Sequence, residues 1–360
     1  MKKIILCGAT HGSNFGDSLF AYMFKRISEY KVGDIEVLFT KASDYSKKEL
    51  GIRSGKYREL FTADGMVYIS GGYFGQSHKE TIKGSIFRFL TYFKYGLIMI
   101  IMRKPVAILG VGAGPLERGF LKKVGVYIFN KAKIVSVRDE QSKKYMELYG
   151  VRREIIVTSD SAQAIENEVF NYKRCIPDIL KDNKIDGRKK VLVHVTSAQG
   201  NQLYRDNIVM AIQETLSKSQ EYGFIVTSDS IIDRVHLQRI CEMLPKDRTV
   251  LYEFNNPIDF LSVISNCDVI VTPKLHVGIL GSTYGKAVIS FPIHPEKTVR
   301  YYEQIGYPNH CKPLYDTTKE DAKKIILECS EERIELPNEI KEKAMKNFQL
   351  LEKFISAYII

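Results

Sequence analysis

No two cysteines in this chain stand at metal-ligand spacing. The six, at positions 7, 175, 241, 267, 311 and 329, lie far apart with no Cys-x-x-Cys pair, which argues against a structural zinc site and against a disulfide framework. Cys7 and Cys267 fall inside apolar runs, where cysteine serves as a small buried hydrophobe. His78, His194, His236, His294 and His310 are isolated, none paired on one helix face, so no metal is expected. Gly-x-Gly-x-x-Gly is absent and no Gly-Lys-Ser/Thr closes a loop, which removes a dinucleotide fingerprint and a P-loop. A long hydrophobic run is missing too. The most apolar segment, Gly96–Met102, falls far short of the roughly 20 residues needed to span a bilayer. The opening MKKIILCG passes straight into Thr10-His11-Gly12-Ser13-Asn14 and reads as a first strand, not a signal peptide. A reduced, cytoplasmic protein is the simplest reading.

What is present describes a globular chain. Its 360 residues exceed one ordinary core and fit two domains, with 44% apolar and 26% charged residues. The surplus of 53 Lys+Arg over 42 Asp+Glu gives +11, which suits an anionic substrate, a nucleic acid or an anionic membrane. No run of basic residues interleaved with aromatics occurs, so nucleic acid is not expected as a partner.

Short apolar runs alternate with helical segments, the pattern of parallel βαβ units. In the first half, strands are predicted near Lys3–Gly8, Ile35–Thr40, Met66–Ser70, Val106–Gly110, Lys133–Val137 and Ile155–Thr158. Helices are predicted at Asp17–Tyr30, Lys79–Met102, Arg118–Lys131 and Glu140–Tyr149. A second set of strands runs Val191–Val195, Phe224–Thr227, Val250–Phe254, Val269–Val271 and Val288–Phe291. Its helices are predicted at Arg205–Glu221, Ile231–Met243, Asp259–Ser265, Leu275–Tyr284 and Pro295–Ile305. The fold class is therefore α/β, two doubly wound Rossmann-like domains facing across a cleft. The predicted division is an N-terminal domain 1–165, a linker 166–189, a C-terminal domain 190–335 and a final amphipathic helix within 336–360.

Several strand ends carry chemistry. Val271–Ile293 is the densest: a strand, a break at Pro273, then Lys274-Leu275-His276 opening a helix. A cation and a histidine at a strand's carboxyl end face the ligand crevice of an open parallel sheet. The loop from Thr10 to Asp17 contains His11, Asn14 and Gly16 and suits a sugar or phosphate; alternatively it is a polar turn whose Asp17 caps the helix. Ser70-Gly71-Gly72 reads as a turn that lets a ligand approach the backbone, or as a plain connection. Gly110-Val111-Gly112-Ala113-Gly114-Pro115 has a proline where a nucleotide-binding helix would begin. Arg138 suits a carboxylate or phosphate, or an ion pair with Asp139 or Asp160. The string VTSDS recurs at Val157–Ser161 and Val226–Ser230, which helix capping explains without a duplication. Ile86–Lys104, with Arg88, Lys94, Arg103 and Lys104 framing apolar residues, either touches a membrane surface or packs on the sheet.

Taken in order, SNFGD, SGGYF, GVGAGP, SVRDEQS, TSDSA and KLHVGILGSTYGKAVISFPIHPEK resemble the motifs of the polysaccharide pyruvyl transferase family. The resemblance runs from the first strand to about Gly306 and implies a GT-B-like fold. It implies an enzyme that moves the enolpyruvyl group of phosphoenolpyruvate onto two hydroxyls of a sugar, without metal or other cofactor. On this resemblance His276 is the general acid, and Arg138, Lys274 and Lys297 bind the donor. Asn14, Gly16, Asp17, Gly71, Gly72 and Asp160 face the acceptor, a cell-surface glycan or its lipid-linked precursor at the inner face of a membrane. Lys274 stands where the family commonly has arginine, so its charge lacks the bidentate fork. Two rival readings stay open: a GT-B glycosyltransferase using a nucleotide-sugar, with Glu296 on the ribose, and a non-catalytic glycan-binding protein.

Overall fold

The computed structural model describes residues 2–32, 35–75, 81–170, 178–196, 201–229 and 234–360. They divide into two compact units, Met1–Asn171 with Asn338–Ile360, and Tyr172–Pro337. Each unit holds one parallel sheet.

The first unit contains β1 (Lys2–Cys7), β2 (Ile35–Phe39), β3 (Gly65–Tyr68), β4 (Gly71–Phe74), β5 (Val106–Ala113), β6 (Ile134–Val137) and β7 (Ile156–Val157). They are ordered β2-β1-β3-β5-β6-β7, with β4 pairing the far end of β5. Between β1 and β3 the strand order reverses, which places the ligand-binding edge at their carboxyl ends. Strand β4 corrects the reading of Ser70-Gly71-Gly72 as a turn: β3 and β4 lie end to end along β5, broken at Ile69 and Ser70. Nor does β5 stop at Gly110; it runs on to Ala113 with every residue buried. Gly110 sits at φ +63, where a Cβ would strike Ser70 and Asn347, so a side chain is excluded twice over.

The helix predicted from Lys79 is described from Ile82 to Ile101 and carries a π-helical segment at Phe89–Phe93. The one predicted from Arg205 is also broken, with a π segment at Tyr204–Val209 and an end at Glu214. The helices Asp44–Leu50, Tyr57–Thr62 and Lys319–Cys329 lie outside the segments read as helical from sequence. The last starts at a capping box, Thr318 with Asp321. The expected linker falls partly on 171–177, outside the described residues. The helix Asn338–Tyr358 joins the first unit, where Phe348 packs against Phe24 and Phe170 with ring centroids 4.9 Å apart in each pair.

The second unit contains β8 (Lys189–Val195), β9 (Tyr222–Ser228), β10 (Thr249–Leu251), β11 (Val269–Thr272) and β12 (Ala287–Ser290), ordered β10-β9-β8-β11-β12. The chain lays β8 in the centre, moves outward through β9 and β10, and returns to build β11 and β12 on the other side. Its switch point lies between β8 and β11. Both sheets are read easily from sequence because helices cover both faces and leave their strands as continuous apolar runs.

Candidate active site

In the second unit the residues of interest gather at the carboxyl edge of the sheet. Strand β11 ends at Thr272, Pro273 interrupts the ladder, and Lys274 becomes the N-cap of the helix Leu275–Thr283. The Lys274 N–H donates to Thr272 Oγ1 at 3.0 Å, so the strand's last hydroxyl fixes the helix start. Lys274 and His276, both half-buried, thus stand at a helix N-terminus, where the helix dipole favours an anion. Strand β12 pairs with β11 and leads into the helix Pro295–Gln304, whose first turn presents exposed Lys297. Two cations therefore follow two adjacent parallel strands.

Behind Lys274 lies a buried polar group that sequence reasoning missed. His194 of β8 and Asp229 after β9 are both buried, and the Lys274 ammonium lies 3.7 Å from Asp229 Oδ2. His194 Nδ1 stands 2.7 Å from Thr272 Oγ1, and its Nε2 faces Asp229 Oδ1 at 3.6 Å. A carboxylate on the Nε2 side favours the tautomer with the proton on that nitrogen. Burial alone would raise the Asp229 carboxyl; the facing His194 and the Lys274 ammonium outweigh it and hold Asp229 below the ordinary carboxylate value. His194 is accordingly not isolated, and Asp229 in the second VTSDS is more than a capping residue. The only sequence signal was a histidine inside a buried strand.

A group whose folded pKa is depressed stabilises the fold above its unfolded value and loses that contribution as pH falls through the folded one. Asp229→Asn is therefore expected to destabilise the protein by about 1–3 kcal/mol at neutral pH. The gap to wild type should shrink as pH drops through the carboxylate range. Urea midpoints of both proteins at several pH values check this; a gap independent of pH would show that charge plays no part.

In the first unit, Arg138 and Asp160 follow the adjacent strands β6 and β7. Both are buried, and Arg138 Nη1 donates to Asp160 Oδ2 at 3.0 Å while Nε lies 3.8 Å from Asp139 Oδ2. The ion pair considered from sequence is thus present, and Asp160 also accepts from the Ala162 N–H. Gly112 makes room for the guanidinium, since a Cβ there would lie 2.9 Å from Nε.

The loop after β1 is arranged differently from expectation. Asn14, not Asp17, caps the helix Phe15–Val32: its Oδ1 accepts from the Asp17 N–H at 3.2 Å. Gly16 lies in the first helical turn, and Asp17 Oδ1 lies 4.0 Å from where a Gly71 Cβ would be, so Asp17 and Gly71 are brought together. Gly72 is half-buried in β4. His11 stands beside Tyr92 and Phe87, with ring centroids 6.0 and 5.9 Å away. Burial, with the Lys41 charge adding to it, pushes the His11 imidazole below its ordinary value. Ser70 Oγ and Ser161 Oγ, 2.6 Å apart, connect the end of β3 to the residue after Asp160.

Elsewhere, His310 is not isolated either. Its Nδ1 bonds the Val288 carbonyl at 2.8 Å and its Nε2 meets Glu332 at 3.0 Å, with Cys329 completing a group of ligand atoms within 4.8 Å of one another. Both ring nitrogens are engaged by protein, so the arrangement is a buried histidine held by a carbonyl and a carboxylate. His78 lies outside the described residues.

The sequence model of the polysaccharide pyruvyl transferase family matches residues 14–295, most of the chain and the residues of both clusters except His11 and Lys297. The chain belongs to that family. Among curated proteins it is similar to the amylovoran biosynthesis protein AmsJ of Erwinia amylovora, 20% identical over 236 residues, which cover 60% of this chain and 55% of AmsJ. The chain thus spans about half the length of that relative. Solved structures share its fold. MnaA of S. aureus, in a structure with UDP, has a TM-score of 0.68 at 14% identity, covering 99% of this chain and 97% of MnaA. The Neisseria meningitidis UDP-GlcNAc 2-epimerase gives 0.65 at 13% identity, covering 98% and 100%. Anabaena HepE, in complex with UDP-glucose, gives 0.58 at 14%, covering 99% and 100%. At such identities the likeness establishes the fold alone: two Rossmann-like domains of the GT-B kind.

Proposed function

We propose that this family member transfers the enolpyruvyl group of phosphoenolpyruvate onto two hydroxyls of one sugar, in a cell-surface glycan or its precursor, forming a cyclic pyruvate ketal. The observation that supports this most is the Lys274-Leu275-His276 turn at a helix N-terminus beside the switch point of the second sheet. A cation, the first turn of a helix and an imidazole stand together there, the set that an anionic donor in need of a proton requires.

In this reading Lys274 and Lys297 hold the phosphate and His276 protonates the methylene carbon. The neighbouring carbon becomes an electrophile, and one sugar hydroxyl adds to it. A second hydroxyl then displaces phosphate. Two C–O bonds form, the bond from carbon to the phosphate oxygen breaks, and the two hydroxyl protons are accounted for by the new methyl group, through His276, and by phosphate. Arg138, oriented by Asp160, is the further donor-binding cation. Asn14, Gly16, Asp17, Gly71, Gly72 and Asp160 serve the acceptor side. Asp229 and His194 hold the Lys274 end of the turn in place, which lets a lysine do what the family's arginine does.

Lys274→Ala is expected to weaken phosphoenolpyruvate binding roughly ten- to hundredfold, the worth of one charge-assisted contact, whereas Lys274→Arg retains it. Titration calorimetry with phosphoenolpyruvate measures both. Equal affinity in wild type and Lys274→Ala, or binding of a nucleotide-sugar with no response to phosphoenolpyruvate, would overturn the donor assignment.

A further inference from the structure

We propose that the outer faces of the helices Ile82–Ile101 and Gly119–Lys131 form a docking surface for an anionic lipid bilayer. The two helices pack against each other, with Phe89 and Phe120 rings 6.3 Å apart and Phe93 against Gly125. Between them they leave Ile82, Ile86, Phe87, Leu90, Phe120 and Tyr127 each 41–61% exposed. Single exposed apolar residues need no explanation, but a group of six on two neighbouring helices does.

Charge says what covers it. The two helices carry Lys83, Arg88, Lys94, Lys122, Lys123 and Lys131 and not one Asp or Glu. Apolar side chains among cations alone are the composition of an interfacial helix that meets acidic headgroups. Arg88 turns inward to the Tyr73 carbonyl and Lys122 lies over the Tyr149 ring, while Lys83, Lys123 and Lys131 stay exposed; a second copy of this face would bring like charges together, and a protein partner would have to supply the acids.

Ile82–Ile101 is long and apolar enough, by composition, to cross a bilayer, which the shorter run seen in the sequence was not. Its inner face rules that out. Thr91, Tyr92, Phe93 and Met99 are buried in the first unit, and the Gly96 N–H donates to Tyr68 Oη at 3.1 Å. Crossing a membrane would strip this face from the core, so the helix lies on the surface. The patch continues into the loop after β1: Phe87 contacts His11, and Lys41 stands over the Phe87 ring at 5.5 Å. A bilayer held here lies next to the Asn14–Asp17 segment. The docking itself does not depend on which reaction the protein performs.

Co-sedimentation of the purified full chain with phospholipid vesicles tests it. Binding is expected to vesicles containing about 30% phosphatidylglycerol and not to pure phosphatidylcholine, and to fall at about 0.5 M salt. Ile86→Asp/Leu90→Asp, at exposed positions, should lower the bound fraction about tenfold or more while melting as wild type does. Lys83→Glu/Lys123→Glu, both at exposed positions, should lower it at low salt by about fivefold per lysine. No binding to anionic vesicles would overturn the proposal, as would unchanged binding by Ile86→Asp/Leu90→Asp. So would a wild-type dimer in sedimentation velocity that this variant dissolves, since a second copy would then be the occupant.

Discussion

Replacing His276 with alanine is expected to lower turnover by roughly 10²–10⁴-fold, the worth of a positioned proton transfer, while the protein stays folded. The helix start that holds His276 is built from other atoms, the Thr272 hydroxyl and the Lys274 N–H. The negative charge of a bound phosphate beside the imidazole favours its protonated form. Because the proton is needed only as the methylene carbon accepts it, the loss should fall on kcat and leave donor affinity largely intact. Phosphate release from phosphoenolpyruvate with a competent acceptor measures it, with circular dichroism as the folding control. Near-normal turnover in His276→Ala would end its assignment as general acid.

The largest loss of stability is expected in Asn347→Leu. Asn347 of the C-terminal helix is fully buried and uses all four of its hydrogen-bonding positions. Its Oδ1 accepts from Ser136 Oγ at 2.8 Å and Thr158 Oγ1 at 2.9 Å; its Nδ2 donates to the Ser159 carbonyl at 3.1 Å and Ser161 Oγ at 3.0 Å. Leucine has similar bulk and satisfies none of them, so several buried polar groups lose partners at once. A cost of at least about 3 kcal/mol follows. For a unit of this size that lowers the melting midpoint by about 6–12 °C. Ser159 and Ser161 flank Asp160, so the Arg138 pair should loosen as well. A loss under about 1 kcal/mol would show that the helix is held by its apolar face alone.

The contrast between these two residues shows what could be read in the sequence. Lys274-Leu275-His276 was legible because chemistry-bearing residues interrupt an apolar strand and an apolar helix, where nothing structural calls for them. Strands buried on both faces were legible for the same reason, as runs of Val, Ile and Leu. Gly71–Phe74 was not, since two glycines carry no strand preference and only pairing with β5 makes them one. Asn347 lies on the same helical face as Ala344, Phe348 and Leu351, and one asparagine among apolar residues does not reveal that Ser136 of β6 and three groups just after β7 converge on it. Asp229 was hidden by its resemblance to a capping residue. Its partners His194 and Lys274 are 35 and 45 positions away in the chain and meet it only because β8 lies beside β9 and β11.

Pyruvyl transfer itself is tested most directly in deuterium oxide, with phosphoenolpyruvate and a panel of defined glycans. The expected result is one phosphate released per pyruvate ketal formed, the ketal methyl group carrying one deuterium from solvent, and both signals lost together in His276→Ala. Transfer from a nucleotide-sugar with phosphoenolpyruvate left unconsumed, or a ketal methyl group without deuterium, would contradict it.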